Sequence, residues 1–275
     1  MLLPRVLTAL IGIPLILAAI HLGGAVFAFL IAVIIVLALH EYWLILWTGK
    51  KPVMRVPLMV FGLAAAAASV LGRMPVRFGS ADNLVPFAVS MIVLGLLTWE
   101  VLTPRHCLER LANTLLGVFF VGWTLAFLIN IRELFPHGEY YTYMLFLTVW
   151  SCDTAAYFAG RSFGKHKLNP EVSPKKTWEG AVAGFFAAVI ISFLLRALFV
   201  PDDMPFWGAL LLGAAAGVTG QISDLAESVL KRSAGVKDSS SLLPGHGGIL
   251  DRFDSYLLLA PLYYYILLAV LVPNK

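Results

Sequence analysis

Apolar residues in this chain come in long unbroken runs, with polar punctuation between them. Runs near the ~20 residues that a helix needs to cross a bilayer recur from end to end. A membrane β-barrel would instead show short alternating segments. The pattern predicts nine helical spans, over residues 6–20, 25–47, 58–71, 84–102, 111–131, 140–159, 177–200, 206–230 and 249–272. The first could be read as a signal peptide, because Ala18-Ala19 offers small residues. A second apolar run follows directly after His21-Leu22-Gly23-Gly24, which favours an uncleaved first span. The fold class is therefore all-α, a polytopic integral membrane protein of about nine transmembrane helices.

Charge placement sets an orientation. With the N-terminus in the cytoplasm and the spans alternating, only Arg73, Arg77, Arg132, Arg196 and Lys275 of the 20 Lys and Arg face outward. That bias fits the positive-inside rule and gives an N-in/C-out topology. It places residues 160–176 and 231–248 on one cytoplasmic face. In a bacterial cell the location would be the inner (plasma) membrane, with the site facing the cytoplasm.

Composition agrees with this reading: 60% of residues are hydrophobic and 13% charged, against about 25% charged in a typical soluble domain. Cys107 and Cys152 form neither a disulfide framework nor a metal-type spacing. Nucleic-acid binding lacks support, because no concentrated basic face carries interleaved aromatics. Five alanines in the third span allow close helix contact. So do Gly180 with Gly184 and Gly213 with Gly217, each pair four apart. Such pairs serve packing inside the chain or a homodimer seam. The chain divides at the sequence level into residues 1–140, about five membrane helices, and residues 141–275, catalytic helices with their cytoplasmic loops.

Residues 219–255 do not suit lipid. A carboxylate at the bilayer centre costs roughly 2.5–3.5 kcal/mol on insertion scales, yet Asp224, Glu227, Asp251 and Asp254 lie close to helix ends there. Asp224 and Glu227 are three apart, Asp224 and Ser228 four, and Lys231 seven, so all share one helical face. Asp251, Asp254 and Ser255 repeat that spacing. Two such faces on an antiparallel helix pair offer the oxygen ligands that a hard cation such as Mg²⁺ takes, alongside water and substrate phosphate. The competing reading is a salt-bridge network, Asp224 and Glu227 with Lys231 and Asp251 with Arg252.

Pro244-Gly245-His246-Gly247-Gly248 sits just before the ninth span. Flexible glycine backbone at a helix start is a natural phosphate seat, to which Lys237 and His246 add positive charge. Ser173-Pro174-Lys175-Lys176-Thr177 ends at another helix start, where Thr177 is a candidate N-cap. Its two lysines suit a polyphosphate or a lipid phosphate, or equally an ordinary basic loop on anionic headgroups. Asp153, within the sixth span, is a further intramembrane carboxylate.

Three stretches resemble one family. They are Ser228-Val229-Leu230-Lys231-Arg232 with Lys237-Asp238 and then Pro244 to Asp254; Ser173 to Gly180; and Ser223 to Ser228. In order and spacing they are similar to the signature of bacterial phosphatidate cytidylyltransferases, also called CDP-diacylglycerol synthases. The resemblance implies that CTP and phosphatidic acid react to give CDP-diacylglycerol and pyrophosphate with Mg²⁺, a second cation being left open. It implies metal ligation by Asp224 and Asp251, with Glu227 and Asp254 as further ligands or supports. Lys175, Lys176, Lys231 and Arg232 would hold phosphates, with Ser173, Thr177, Ser223, Ser228, Gly247 and Gly248 completing the substrate site. Lys237, Asp238, His246 and Arg252 form the expected catalytic set, which orders the loop and stabilises the leaving pyrophosphate. The partners implied are CTP, phosphatidic acid and membrane lipids.

Overall fold

A computed structural model describes residues 3–72, 84–200, 204–243, 245 and 247–271. Among the described residues, each predicted span falls on helical structure. The first three are α1 (Leu3–Leu22), α2 (Gly24–Thr48) and α3 (Arg55–Leu71), followed by α4 (Leu84–Leu102). The fifth is built from α5 (Leu108–Gly117), a π-helical segment (Val118–Trp123) and α6 (Phe127–Arg132). Then come α7 (Gly138–Phe163), a two-stranded hairpin of β1 (Lys167–Asn169) and β2 (Ser173–Thr177), and α8 (Trp178–Phe199). The eighth span joins α9 (Phe206–Ala215), a second π-helical segment (Ala216–Gly220) and α10 (Gln221–Ser233), and α11 (Leu250–Leu271) is the ninth. Among the described residues, six of these helices are long and apolar enough to cross a membrane, and Thr8–Leu22 and Arg55–Leu71 are shorter apolar helices.

By contacts the chain forms two compact units, Met1–Asn130 with Leu230–Phe253, and Ile131–Val229 with Asp254–Lys275. The division passes through α10 and α11, whereas the sequence suggested one cut near residue 140.

In the first unit, α4 buries a single stripe, Ile92, Leu96 and Glu100, and turns Phe87, Leu94, Val101 and Leu102 outward. One apolar seam at four-residue spacing with large apolar groups elsewhere is what a lipid-facing helix requires. Glu100 closes the stripe. Its carboxylate accepts two bonds from Arg110 at 2.7 and 2.9 Å and one from the Cys107 N–H at 2.6 Å, as a buried charge must. The alanine run presents Ala65, Ala66 and Ala68 to the interior of the unit. Asn130 then donates to Ser69 Oγ at 2.9 Å.

In the second unit, both predicted glycine pairs are used within the chain. A Cβ on Gly180 would stand 2.6 Å from the Ala156 carbonyl oxygen, and one on Gly184 would stand 2.9 Å from that of Cys152, so α7 and α8 touch backbone to backbone. Gly213 and Gly217 do the same for the eighth span against α8, at Val189 and Phe185.

Candidate active site

Each unit carries its own cluster of the candidate residues. In the second unit the cluster is acidic and meets the hairpin. Asn169 begins the hairpin turn, its side-chain oxygen accepting from the Val172 N–H at 3.2 Å, a local side-chain bond that closes the turn over Pro170. The strands pair Lys167 with Thr177 and Asn169 with Ser173. Thr177 caps α8 as predicted, its hydroxyl oxygen accepting from the Gly180 N–H at 3.2 Å. Glu179 holds the other side of the hairpin, taking His166 Nδ1 at 2.7 Å and the His166 N–H at 3.2 Å. On β2, Pro174 and Lys175 are exposed while Lys176 and Thr177 turn in. Lys176 Nζ stands 2.6 Å from Asp224 Oδ2. The sequence reading made residues 160–176 a loop; α7 in fact runs on to Phe163, and the remainder folds into the hairpin.

Asp224, Glu227 and Asp153 all place negative charge against the Asp254 carboxyl. Ser228 Oγ donates to Asp224 Oδ1 at 3.4 Å, the contact that their four-residue spacing predicts. Ser223 is placed differently from the expectation that it serves substrate. It is fully buried, donates to the Asp254 carbonyl and accepts from the Leu258 N–H at 3.0 Å. Both roles of its hydroxyl are spent on strapping α10 to α11.

In the first unit the cluster centres on two carboxylates, Asp251 and Glu41. Lys231 Nζ lies 2.6 Å from Asp251 Oδ1, with both side chains almost wholly buried. Asp251 Oδ2 accepts from the Ser239 N–H at 2.9 Å, Ser239 Oγ at 2.9 Å and the Gly248 N–H at 2.8 Å. Glu41, on α2 and 2% exposed, accepts from Ser239 Oγ at 2.8 Å, Ser240 Oγ at 2.7 Å, the Ile249 N–H at 3.0 Å and the Leu250 N–H at 2.7 Å. The N–H groups offered as a phosphate seat at the start of α11 are thus held by carboxylates: Gly248 by Asp251, Ile249 and Leu250 by Glu41. This revises the role read for Gly248, whose N–H is turned to Asp251. Gly247 takes φ +79°, a conformation that glycine adopts without strain. On Gly248 a Cβ would collide with Ser239 Oγ and the Glu41 carboxylate.

The ion pairs also differ from the network read from spacing. Asp224 pairs with Lys176 and Asp251 with Lys231. Arg232 donates to the Val236 carbonyl at 2.9 Å, at the end of α10, and Arg252, Lys237 and Asp238 are exposed. His246 lies outside the described residues. Glu41, Ser239 and Ser240 carried no role in the sequence reading. The signal for Glu41 was present, since it is the sole charged residue of α2, and an intramembrane carboxylate is a functional candidate.

The donors fit a hard cation in kind: the acids are oxygen ligands, and like charges gathered in one place favour a cation between them. Among the described residues, no three His, Cys, Asp or Glu side chains are drawn together closely enough to hold an ion as they stand. The positions next to Asp224 and Asp251 are filled by lysine ammonium groups.

A sequence profile of the cytidylyltransferase family matches residues 3–270. The phosphatidate cytidylyltransferase of Bacillus subtilis is 39% identical over 192 residues, covering 69% of this chain and 71% of that protein. That of Staphylococcus saprophyticus is 35% identical, covering 97% of this chain and 99% of its own. That of Synechocystis is 32% identical, covering 97% of each.

Proposed function

The chain belongs to the cytidylyltransferase family, and on that premise we propose that it joins CTP to phosphatidic acid, making CDP-diacylglycerol and pyrophosphate. A phosphate oxygen of the lipid attacks the α-phosphorus of CTP. The bond from that phosphorus to the bridging oxygen breaks, and pyrophosphate leaves with the electron pair. Both reactants are anions, so catalysis is mainly charge neutralisation and alignment.

The observation that carries this reading is the repeated acid–lysine pair, Asp224 with Lys176 and Asp251 with Lys231. Each pair keeps a cation against a carboxylate and a phosphate-binding group within reach of it. Asp224, Glu227 and Asp254 in one cluster and Asp251 in the other are the residues that would hold Mg²⁺, which supplies Lewis-acid neutralisation of phosphate charge. Lys231 and Lys176 hold the Asp251 and Asp224 carboxylates, and a cation held by either acid would leave its lysine ammonium to phosphate. Lys175, Arg232, Lys237 and Arg252, all exposed, meet phosphate from the aqueous side, with Ser173, Ser228, Gly247 and Asp238 beside them. We place these groups at the cytoplasmic leaflet of the inner membrane, from the Lys and Arg bias. There CTP arrives from water and the lipid enters sideways.

The test is an extract-and-count assay. Protein purified in mild detergent is given radiolabelled CTP, phosphatidic acid and Mg²⁺, and the organic phase is counted. Label in the lipid, lost on chelation and restored by Mg²⁺, is the expected result. A protein that leaves all cytidine in the aqueous phase is not this enzyme, and label that persists in excess chelator removes the metal assignment.

A further inference from the structure

Glu41 lies outside every motif singled out above, yet it holds more of the loop that follows α10 than any residue of those motifs. Its carboxylate is 2% exposed. Burying a charge in this way costs several kcal/mol unless its partners are well placed. All four donors come from residues 239–250: the Ser239 and Ser240 hydroxyls and the Ile249 and Leu250 N–H groups. The two N–H groups lie at the start of α11, Ile249 just before it and Leu250 its first residue, where backbone donors have no partner within the helix. An apolar residue at position 41 would fill the space and leave them unsatisfied.

The residue is also held firmly from its own side. At the end of α2, a Cβ on Gly49 would stand 2.6 Å from the Ala234 Cα, so α2 rests directly against the chain where it leaves α10. Gly248 fits between Ser239 and Glu41 only because it lacks a Cβ. Ser239 Oγ lies 2.8 Å from Glu41 Oε2 and 2.9 Å from Asp251 Oδ2. A hydroxyl has one proton, so the two carboxylates compete for it. The share that Glu41 takes sets how many donors Asp251 keeps besides Lys231.

We infer that Glu41 is a positioning residue for the reaction: it fixes Ser239, Ser240 and the first turn of α11, and through them aims Asp251 and Lys231. The activity arm of the test rests on the function proposed above, and the exchange arm stands without it. The full-length protein is compared with Glu41→Gln, Ser240→Ala and the double variant in detergent. Misplacing a reacting group by about 1 Å can cost about 100-fold in rate, so Glu41→Gln is expected to lower kcat by about 30- to 100-fold with KM for CTP held within about threefold. Ser240→Ala, which removes one donor and no charge, lowers kcat by about three- to tenfold. The double variant is no slower than Glu41→Gln, because both remove the same contact. Hydrogen exchange at residues 239–250 rises in Glu41→Gln and stays at the wild-type rate in α4.

A kcat within about twofold of wild type in both folded single variants overturns the inference, as does a loss carried wholly by KM. If Glu41→Gln does not fold, Ser240→Ala decides by the same measures. If the wild type makes no CDP-diacylglycerol, the functional reading fails, and unchanged exchange at 239–250 would then sink the positioning role independently.

Discussion

Breaking the Lys231–Asp251 pair is the most informative single perturbation. The two groups stand 2.6 Å apart with side chains 9% and 7% exposed. At an effective dielectric of about 20, opposite unit charges at that distance attract by roughly 6 kcal/mol before desolvation is charged against them. Much of that gain is offset by taking both ions out of water, so the pair as a whole contributes little net stability. Removing one member is different, because the survivor is stranded, at a cost of about 3–5 kcal/mol. Lys231→Met falls at the low end, since Asp251 keeps the Ser239 and Gly248 N–H groups and a share of the Ser239 hydroxyl. Asp251→Asn falls at the high end. Its amide nitrogen must face either the Lys231 ammonium or the donors from Ser239 and Gly248, a donor against donors in both orientations. The double variant has no stranded charge and should recover about 2–3 kcal/mol of the summed cost. The assay is denaturant unfolding in mixed micelles followed by tryptophan fluorescence, with turnover measured on the folded fraction. Both single variants should lose turnover as well, because each removes a group assigned to metal or phosphate. Costs that add within about 0.5 kcal/mol would refute the coupling argued from the contact geometry. Near-normal turnover of Asp251→Asn would remove the metal role proposed for it.

Two further outcomes follow from local geometry. Thr177→Ala deletes the α8 cap at the Gly180 N–H and should cost about 1 kcal/mol in the same unfolding titration, whereas Thr177→Ser should restore most of it. Gly248→Ala puts a methyl group where Ser239 Oγ and Glu41 already stand, which predicts a loss of about 1–3 kcal/mol and a fall in kcat. A variant at this position with wild-type stability and turnover would show that the loop is held by other contacts.

The apolar helices were legible because lipid imposes a length and a composition that few other environments do. Residues 84–102, read from apolarity alone, are α4 to the residue. The glycine pairs were legible for a similar reason: small residues four apart leave a groove, and α8 takes part in both contacts. The hairpin was hidden. Its strands are three and five residues long and charged, with Pro170 directly after the first and Pro174 inside the second, so neither alternation nor propensity marks them. They are held by the Asn169 turn, the Thr177 cap and Glu179, contacts that local pattern does not announce. Partner choice was hidden too. Helical spacing offered Lys231 to Asp224, but Lys176 reaches Asp224 from β2, and Lys231 meets Asp251. Glu41 was visible as a charge among apolar neighbours, yet its donors arrive from a segment about 200 residues later, a separation that no window of sequence spans.

The π-helical segment at Ala216–Gly220 has a consequence for how this protein tolerates change in length. Such a segment carries in effect one surplus residue, and one residue corresponds to about 100° of rotation in an α-helix. The half of the span before it is keyed to α8 through Gly213, and the half after it presents Asp224 and Glu227. Excising that one residue would leave a regular helix with both acids still in phase, whereas drawing the full-length span into regular α-helix would swing them about a quarter-turn away from Asp254. The irregularity is a phase adjuster, and the register of the full-length span depends on keeping it.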